Sequence, residues 1–233
     1  MKKIVLFFVA VLISVAAFAQ EESSFYYPDF KRLKKAVKSK KSDVYFPKLV
    51  ERFIEVDTTM TWEHVFCLYY GAVTRSNFDP YGYFESQKNL DDLFAEQDWS
   101  KSDLEKGVQM VDKQLEKSPA SLFFTLYKYR IYQRLYGVES EEVAKVASLV
   151  NKVLKVIFLT GNGRSMETAC YVPYICDEYA ILNIFGLRRT EQALVHEGKH
   201  SYDVLTLEEN EYEIEKFYFD VTVMMDYMGK SFK

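Results

Sequence analysis

The spacing of apolar residues changes character once, at Thr160-Gly161-Asn162-Gly163, and that change limits the folds open to this 233-residue chain. Before it, apolar side chains recur every three or four positions, as one face of an α-helix requires. After it, they form short runs or alternate, as strands require. A helical block followed by a strand block predicts an α+β fold, an N-terminal antiparallel helical array with a small C-terminal antiparallel β-sheet.

Within the helical block, Asp29 to Lys38 places Phe30, Leu33 and Val37 on one face and lysines on the other. Pro47 suits the first turn of a short helix carrying Leu49, Val50 and Phe53, because its missing N–H is no loss there. Thr61 reads as the N-cap of a helix holding Trp62, Val65, Phe66, Leu68 and Tyr69. Residues 77–99 read as irregular around the turn signal Asp79-Pro80-Tyr81-Gly82. Three longer helices follow, opening near Ser100 or Ser102, after Ser118-Pro119 and at Ser140, with Gly137 ending the second. Their succession is weakly tetratricopeptide-like in architecture, without a clean repeat.

In the strand block, residues 169–176, 178–185, 202–207 and 214–221 read as strands. Pro173 cannot donate to a ladder and puts its strand at an edge. Glu208-Glu209-Asn210-Glu211 reads as the hairpin turn joining the last two, and residues 224–228 as a closing helical turn.

The first nineteen residues stand apart. Lys2 and Lys3 precede an apolar run from Ile4 to Val15, and Ala17-Phe18-Ala19 supplies the small residues of a signal-peptidase site. The run is shorter than the roughly 20 apolar residues of a membrane span. Residues 1–19 are therefore expected to be a cleaved signal peptide, with the mature chain starting near Gln20, no lipid-anchor cysteine and no further membrane span. Residues 20–160 form the expected helical region and 161–233 a β-rich region packed on it as one domain. The expected location is periplasmic or secreted.

Removing Lys2 and Lys3 from the 30 basic residues leaves 28 against 34 acidic ones, a balance unlike the basic surface of a nucleic-acid binder. The three cysteines Cys67, Cys170 and Cys176 are too few, and odd in number, for a disulfide framework. They read as buried thiols.

One motif is chemically pointed: His196-Glu197-Gly198-Lys199-His200 is a literal H-E-x-x-H. On a helix this spacing sets two imidazoles on one face to hold zinc while the glutamate activates the metal-bound water. Asp203, Glu213 or Glu215 would have to supply the third ligand. Against it, Gly198 weakens a helix interior by roughly 1 kcal/mol, Lys199 charges it, and a strand begins near Tyr202. The plainer expectation is a polar connection between strands, with exposed histidines. Gly161-Asn162-Gly163 could cradle an anion, but it follows a helix and reads more simply as its C-terminal turn into the sheet. Asp177-Glu178 could act as paired acids, or mark a turn at a strand junction. The aromatic residues, 16% of the chain, could line a glycan platform but read first as core. A polar groove near Asp57 with Tyr69 and Tyr81 is a further expectation.

Taken together, several non-periodic segments resemble a known family. Pro47-Lys48-Leu49 with Arg52-Phe53, Asp57-Thr58-Thr59-Met60-Thr61, Leu68-Tyr69-Tyr70-Gly71 and Pro80-Tyr81 come in its order. Gly161-Asn162-Gly163, Asp177-Glu178-Tyr179, Gln192, Tyr202-Asp203 and Tyr218-Phe219-Asp220 continue it. The pattern is similar to a family of exported bacterial proteins described as a domain of unknown function, number 4919, over roughly residues 45–221. Where the family carries Gly-Asp-Gly, this chain has Asn162. The resemblance implies no activity, and the H-E-x-x-H segment lies outside its pattern.

The functional expectation is a non-enzymatic module that binds another envelope or secreted protein or peptide, and neither nucleic acid nor membrane. The alternatives are a zinc-dependent hydrolase through His196, Glu197 and His200, and a glycan-binding protein. No cofactor is expected, and no residue is assigned a catalytic, cofactor-binding or metal role.

Overall fold

A computed structural model describes residues 25–95 and 99–231. The signal peptide expected at residues 1–19 lies outside them.

Seven helices fill the first part of the described chain, and the sequence sets where most of them begin. Helix α1 (Phe30–Lys38) opens where the Asp29 carboxylate accepts from the Arg32 N–H, and it buries Leu33 and Val37. Pro47 sits in the first turn of α2 (Phe46–Ile54). Thr61 caps α3 (Trp62–Gly71), and His64 Nδ1 accepts from the Thr61 N–H in return, which gives one of the three histidines a structural task. Ser100 caps α5 (Lys101–Lys117) with Asp103 reciprocating, Gly137 ends α6 (Leu122–Tyr136) at φ +86°, and Ser140 caps α7 (Glu141–Phe158).

Between α3 and α5, the stretch expected to be irregular contains a helix, α4 (Phe84–Leu93). Only Leu90 of it is buried, so no apolar stripe announced it. Helix α7 packs on α6 and α3, while α2 packs on α3 and α5.

The C-terminal part is a four-stranded sheet in the order β1 (Cys170–Tyr171), β4 (Lys216–Asp220), β3 (His200–Leu207), β2 (Arg189–Glu197). Pairs β2–β3 and β3–β4 are antiparallel. Strand β1 pairs parallel to β4, so the sheet is mixed. The architecture is α+β, as the change of period requires. The segment 208–215 joins β3 to β4, and helix α9 (Thr222–Ser231) follows.

Two segments depart from the expected strands. Residues 178–185 lie mostly within a helix, α8 (Ile175–Ile184), which also takes the end of the expected strand 169–176. Its sequence, Ile-Cys-Asp-Glu-Tyr-Ala-Ile-Leu-Asn-Ile, is apolar on nearly every side because the helix is wedged between α6 and the sheet. A short apolar run of that kind carries no period to separate helix from strand. Conversely, the H-E-x-x-H segment joins the end of a long strand, β2, through a two-residue turn to the start of β3. Most of β2 is solvent-exposed on both faces, which erases the alternation that marks a half-buried strand.

One core cluster runs from Leu33 on α1 to Met224 on α9. Its hydrogen-bonded seams cross the chain. Tyr70 Oη, fully buried, donates to the Tyr171 carbonyl at 3.0 Å, tying α3 to β1.

Candidate functional site

Successive residues on an α-helix point about 100° apart, so the neighbours Asp177 and Glu178 on α8 face different partners. Asp177 faces the helices. Its Oδ2 accepts from Tyr69 Oη at 2.7 Å, and its Oδ1 accepts from Ser121 Oγ at 2.7 Å and from the Phe123 N–H at 3.0 Å. Ser121 precedes α6 without a capping bond from its own side chain to that helix, and Asp177 supplies the missing acceptor from outside. Burial pushes the Asp177 carboxyl above its ordinary range, and these donors pull it back.

Glu178 faces the sheet and is fully buried. Neither of its carboxyl oxygens receives an N–H or O–H donor. Its polar neighbour is the carboxyl of Asp203 on β3. Burial first, and the Asp203 charge second, push Glu178 well above the usual carboxylate range; burial raises Asp203 as well.

Strand β2 completes the cluster. Gln192 Nε2 donates to Asp203 Oδ2, and Gln192 Oε1 accepts from Tyr179 Oη at 3.0 Å. The Arg189 guanidinium lies over the Tyr179 ring, 5.3 Å from its centre. Asp203 Oδ1 is buried without a donor. Asp203 and Gln192 border a cavity of about 200 Å³, closed by Tyr81, Leu194, Ile175 and Val221 and by Met224 and Met225 of α9.

The other sequence candidates go elsewhere. The H-E-x-x-H segment is a β-hairpin, with Gly198 at φ +59° in its two-residue turn. His196 lies opposite Ser201, and Glu197 opposite His200. Cross-strand partners share a face and neighbours alternate, so His196 and His200 project from opposite faces of the hairpin. His196 Nδ1 lies 2.9 Å from Ser201 Oγ, and His200 Nδ1 lies 2.9 Å from Asp220 Oδ2. Among the described residues no three His, Cys, Asp or Glu side chains converge as a metal site requires. That geometry overturns the zinc-hydrolase reading, and Asp203, its candidate third ligand, belongs to the acid pair.

Gly161-Asn162-Gly163 is a turn into the sheet. Asn162 Oδ1 accepts from the Arg164 N–H, and the Gly163 N–H donates to the Thr168 carbonyl, so these N–H groups are spent within the loop. The polar groove expected from Asp57, Tyr69 and Tyr81 does not form. Asp57 binds Arg52 and Thr59 at the α2–α3 corner, Tyr69 is buried on Asp177, and Tyr81 borders the cavity. All three cysteines are free thiols; Cys170 and Cys176 are buried, Cys67 is partly so, and burial pushes the Cys67 thiol up to about 11. Most aromatic side chains lie in or against the core, with Tyr26, Tyr27, Phe84 and Tyr136 among those exposed.

In sequence, Asp177-Glu178 reads as paired acids or as a turn at a strand junction, whereas both lie in the first turn of α8, with Asp203 of β3 beside Glu178. The available signal was the placing of two acids at the start of an apolar decamer, which suits the positive end of a helix. The partner acid Asp203 lay within the segments that carried the resemblance, as did Gln192, Tyr179 and Tyr69.

No curated protein and no solved structure matches the chain, and no described helix is long and apolar enough to cross a membrane. A family model, Domain of unknown function (DUF4919), matches residues 31–229. With nearly all of the described fold inside that match, the chain belongs to the DUF4919 family.

Proposed function

We propose that this protein is an exported binding module that takes up an extended peptide segment as an added strand along β2. The observation that carries the proposal is the free edge. β2 is nine residues long, ends the sheet, and no strand lies beyond it among the described residues. Its backbone groups on that side are the template that strand addition uses. Ala193 is exposed and the Leu194 side chain is 47% exposed, so an incoming strand finds apolar surface as well as hydrogen-bonding groups. The bulge at Thr190 and the charges of Arg189, Glu191 and Glu197 guard the two ends of the strand and leave its middle open. Export rests on residues 1–19, and the continuous core supports treating 20–160 and 161–233 as one domain. The expected partner is an envelope or secreted protein with an accessible extended segment.

Hydrogen exchange tests this. A panel of blocked peptides of alternating valine and threonine is added to the full chain. Binding in the proposed mode slows exchange at alternate amides between Thr190 and Val195, and Leu194→Lys abolishes the protection. Protection elsewhere, or none along β2 with any peptide, refutes strand addition.

A further inference from the structure

The cations of this acidic chain are not spread evenly. Seven of the eleven residues from Lys31 to Lys41 are basic and none is acidic, a run that takes in most of α1. Leu33 and Val37 face the core, so the lysines stand on the flanks of the helix. A Cβ on Gly71 would sit 3.0 Å from Val37 Cγ1, so the glycine that ends α3 lets α1 pack close. Beside that contact three parts of the chain meet around a cleft of about 540 Å³, within the range of small-molecule sites. Helix α1 brings Lys34 and Lys38, the start of α2 brings Tyr45, Phe46 and Pro47, and the segment after α3 brings residues 74–77.

The cleft gathers three positive charges, those of Lys34, Lys38 and Arg75, and no Asp or Glu lines it. Among the described residues none of the three takes part in an ion pair. The acids nearest in sequence are engaged elsewhere: Asp29 caps α1, Asp43 lies 3.7 Å from His64 Nε2, and Asp79 accepts from the Tyr81 N–H. Arg75 is already held in place, its guanidinium 4.5 Å from the centre of the Phe46 ring and its Nε donating to Asn77 Oδ1 at 3.0 Å. Its two terminal nitrogens have no acceptor among the described residues, and they form the fork that grips two oxygens of an anion. The first turn of α2, which no side chain caps, borders the same space and adds its partial positive charge. Like charges gathered this way repel, and an anion between them replaces repulsion with attraction.

We infer that this cleft binds a phosphate monoester. A carboxylate brings one charge and two oxygens in one plane. A phosphomonoester carries close to two charges at neutral pH and three acceptor oxygens spread in space, which α1, Arg75 and the start of α2 reach from different sides. The carbon part of the ester lies against Tyr45, Phe46 and Pro47. A free ester and a lipid headgroup both present this group. The site shares no residue with β2, so it goes beyond strand addition and stands or falls without it.

Glycerol 3-phosphate tests the cleft. The ester, and acetate as a carboxylate, are titrated at matched ionic strength into the full chain labelled with nitrogen-15. The expected result is a saturable shift of the Phe46, Arg75 and Ser76 amide signals with the ester, at least about tenfold weaker with acetate. Two double variants remove the same charge from α1. Lys34→Gln with Lys38→Gln is expected to weaken ester binding by at least about tenfold, and Lys31→Gln with Lys35→Gln, outside the cleft, to leave it unchanged. All four lysines are exposed, and an otherwise unchanged amide spectrum confirms the fold. No saturable shift, equal binding of both anions, or equal losses in the two double variants overturns the inference. Phosphatidylcholine vesicles carrying phosphatidic acid then separate the sources. Co-sedimentation that glycerol 3-phosphate displaces names a lipid headgroup, and the lack of such displaceable binding names a free ester.

Discussion

Tyr69 donates its hydroxyl proton to Asp177 Oδ2 at 2.7 Å across 108 positions of sequence, with both side chains fully buried. That bond joins α3 to α8, and the same carboxylate reaches Ser121 and the Phe123 N–H at the start of α6. One acid thus anchors three helices.

Removing either end is expected to cost stability in a fixed order. Tyr69→Phe leaves one acceptor of a buried acid unpaired, for a loss of about 1.5–3 kcal/mol. Asp177→Ala strands the Ser121 hydroxyl, the Phe123 N–H and the Tyr69 hydroxyl together and costs more, about 3–5 kcal/mol. Urea unfolding ranks the two, and a Y69F loss at or above that of D177A contradicts the assignment.

The acid pair makes stability depend on pH. Glu178, held well above its ordinary 4.5, binds its proton more tightly folded than unfolded. Its stabilisation is complete below that ordinary value and is lost as pH rises toward the folded one. The unfolding free energy is expected to fall as pH rises above about 4.5. Glu178→Gln reduces that slope, and Asp177 and Asp203, raised in the same sense, keep some of it. Asp57 acts oppositely: hydrogen bonds from Thr59 and then Arg52 hold it down to about 2, so its contribution is lost only on acidification. Parallel pH profiles for wild type and E178Q would rule out the buried pair as the source.

Lys128 is a cation placed inside the helical array, its side chain 3% exposed. Its ammonium donates to Asp112 and to the Ile54 carbonyl at the end of α2, where a positive charge meets the negative end of the helix. Lys128→Met is expected to destabilise by about 2–3 kcal/mol, since hydrogen bonds to charged groups are worth more than neutral ones. Thermal unfolding measures it, and a neutral outcome would mean the methionine packs as well as the ion pair bonds.

Gly163 and Gly198 separate two reasons for glycine. Both have positive φ, but a Cβ on Gly163 would sit 2.2 Å from Phe217 Cε1, whereas nothing lies within 4 Å of one on Gly198. Gly198→Ala should cost only the left-handed backbone penalty, about 1 kcal/mol. Gly163→Ala adds a clash with the core face of β4 and should cost at least about 3 kcal/mol or prevent folding. Similar values in urea titrations would place Phe217 elsewhere.

These contrasts also mark what the sequence could disclose. The cap at Thr61, the helix start near Ser100 or Ser102 and the cap at Ser140 were legible because a helix start is a local bargain between one side chain and nearby N–H groups. Strands β3 and β4 were legible because their sequences alternate in short runs rich in Tyr, Val and Phe. Helix α8 was not, since burial nearly all round removes its period, and neither was β2, since exposure on both faces removes its alternation. The H-E-x-x-H motif misled for a related reason: its spacing has meaning only on a helix, and Gly198 turns a hairpin there. Half the site was in view as Asp177-Glu178, but the partner Asp203 is set by strand register, which no local pattern announces.

The long reach of Tyr69 and Tyr70 bears on how the molecule is made. A ribosome delivers α3 well before β1 and α8, so both tyrosines wait with their hydroxyls unmatched until residues 171 and 177 have emerged. Contacts this distant in sequence slow folding. Until then the helical part lacks the bonds that join α3 to β1 and α8, and a chain truncated before β1 is expected to be degraded rather than accumulate.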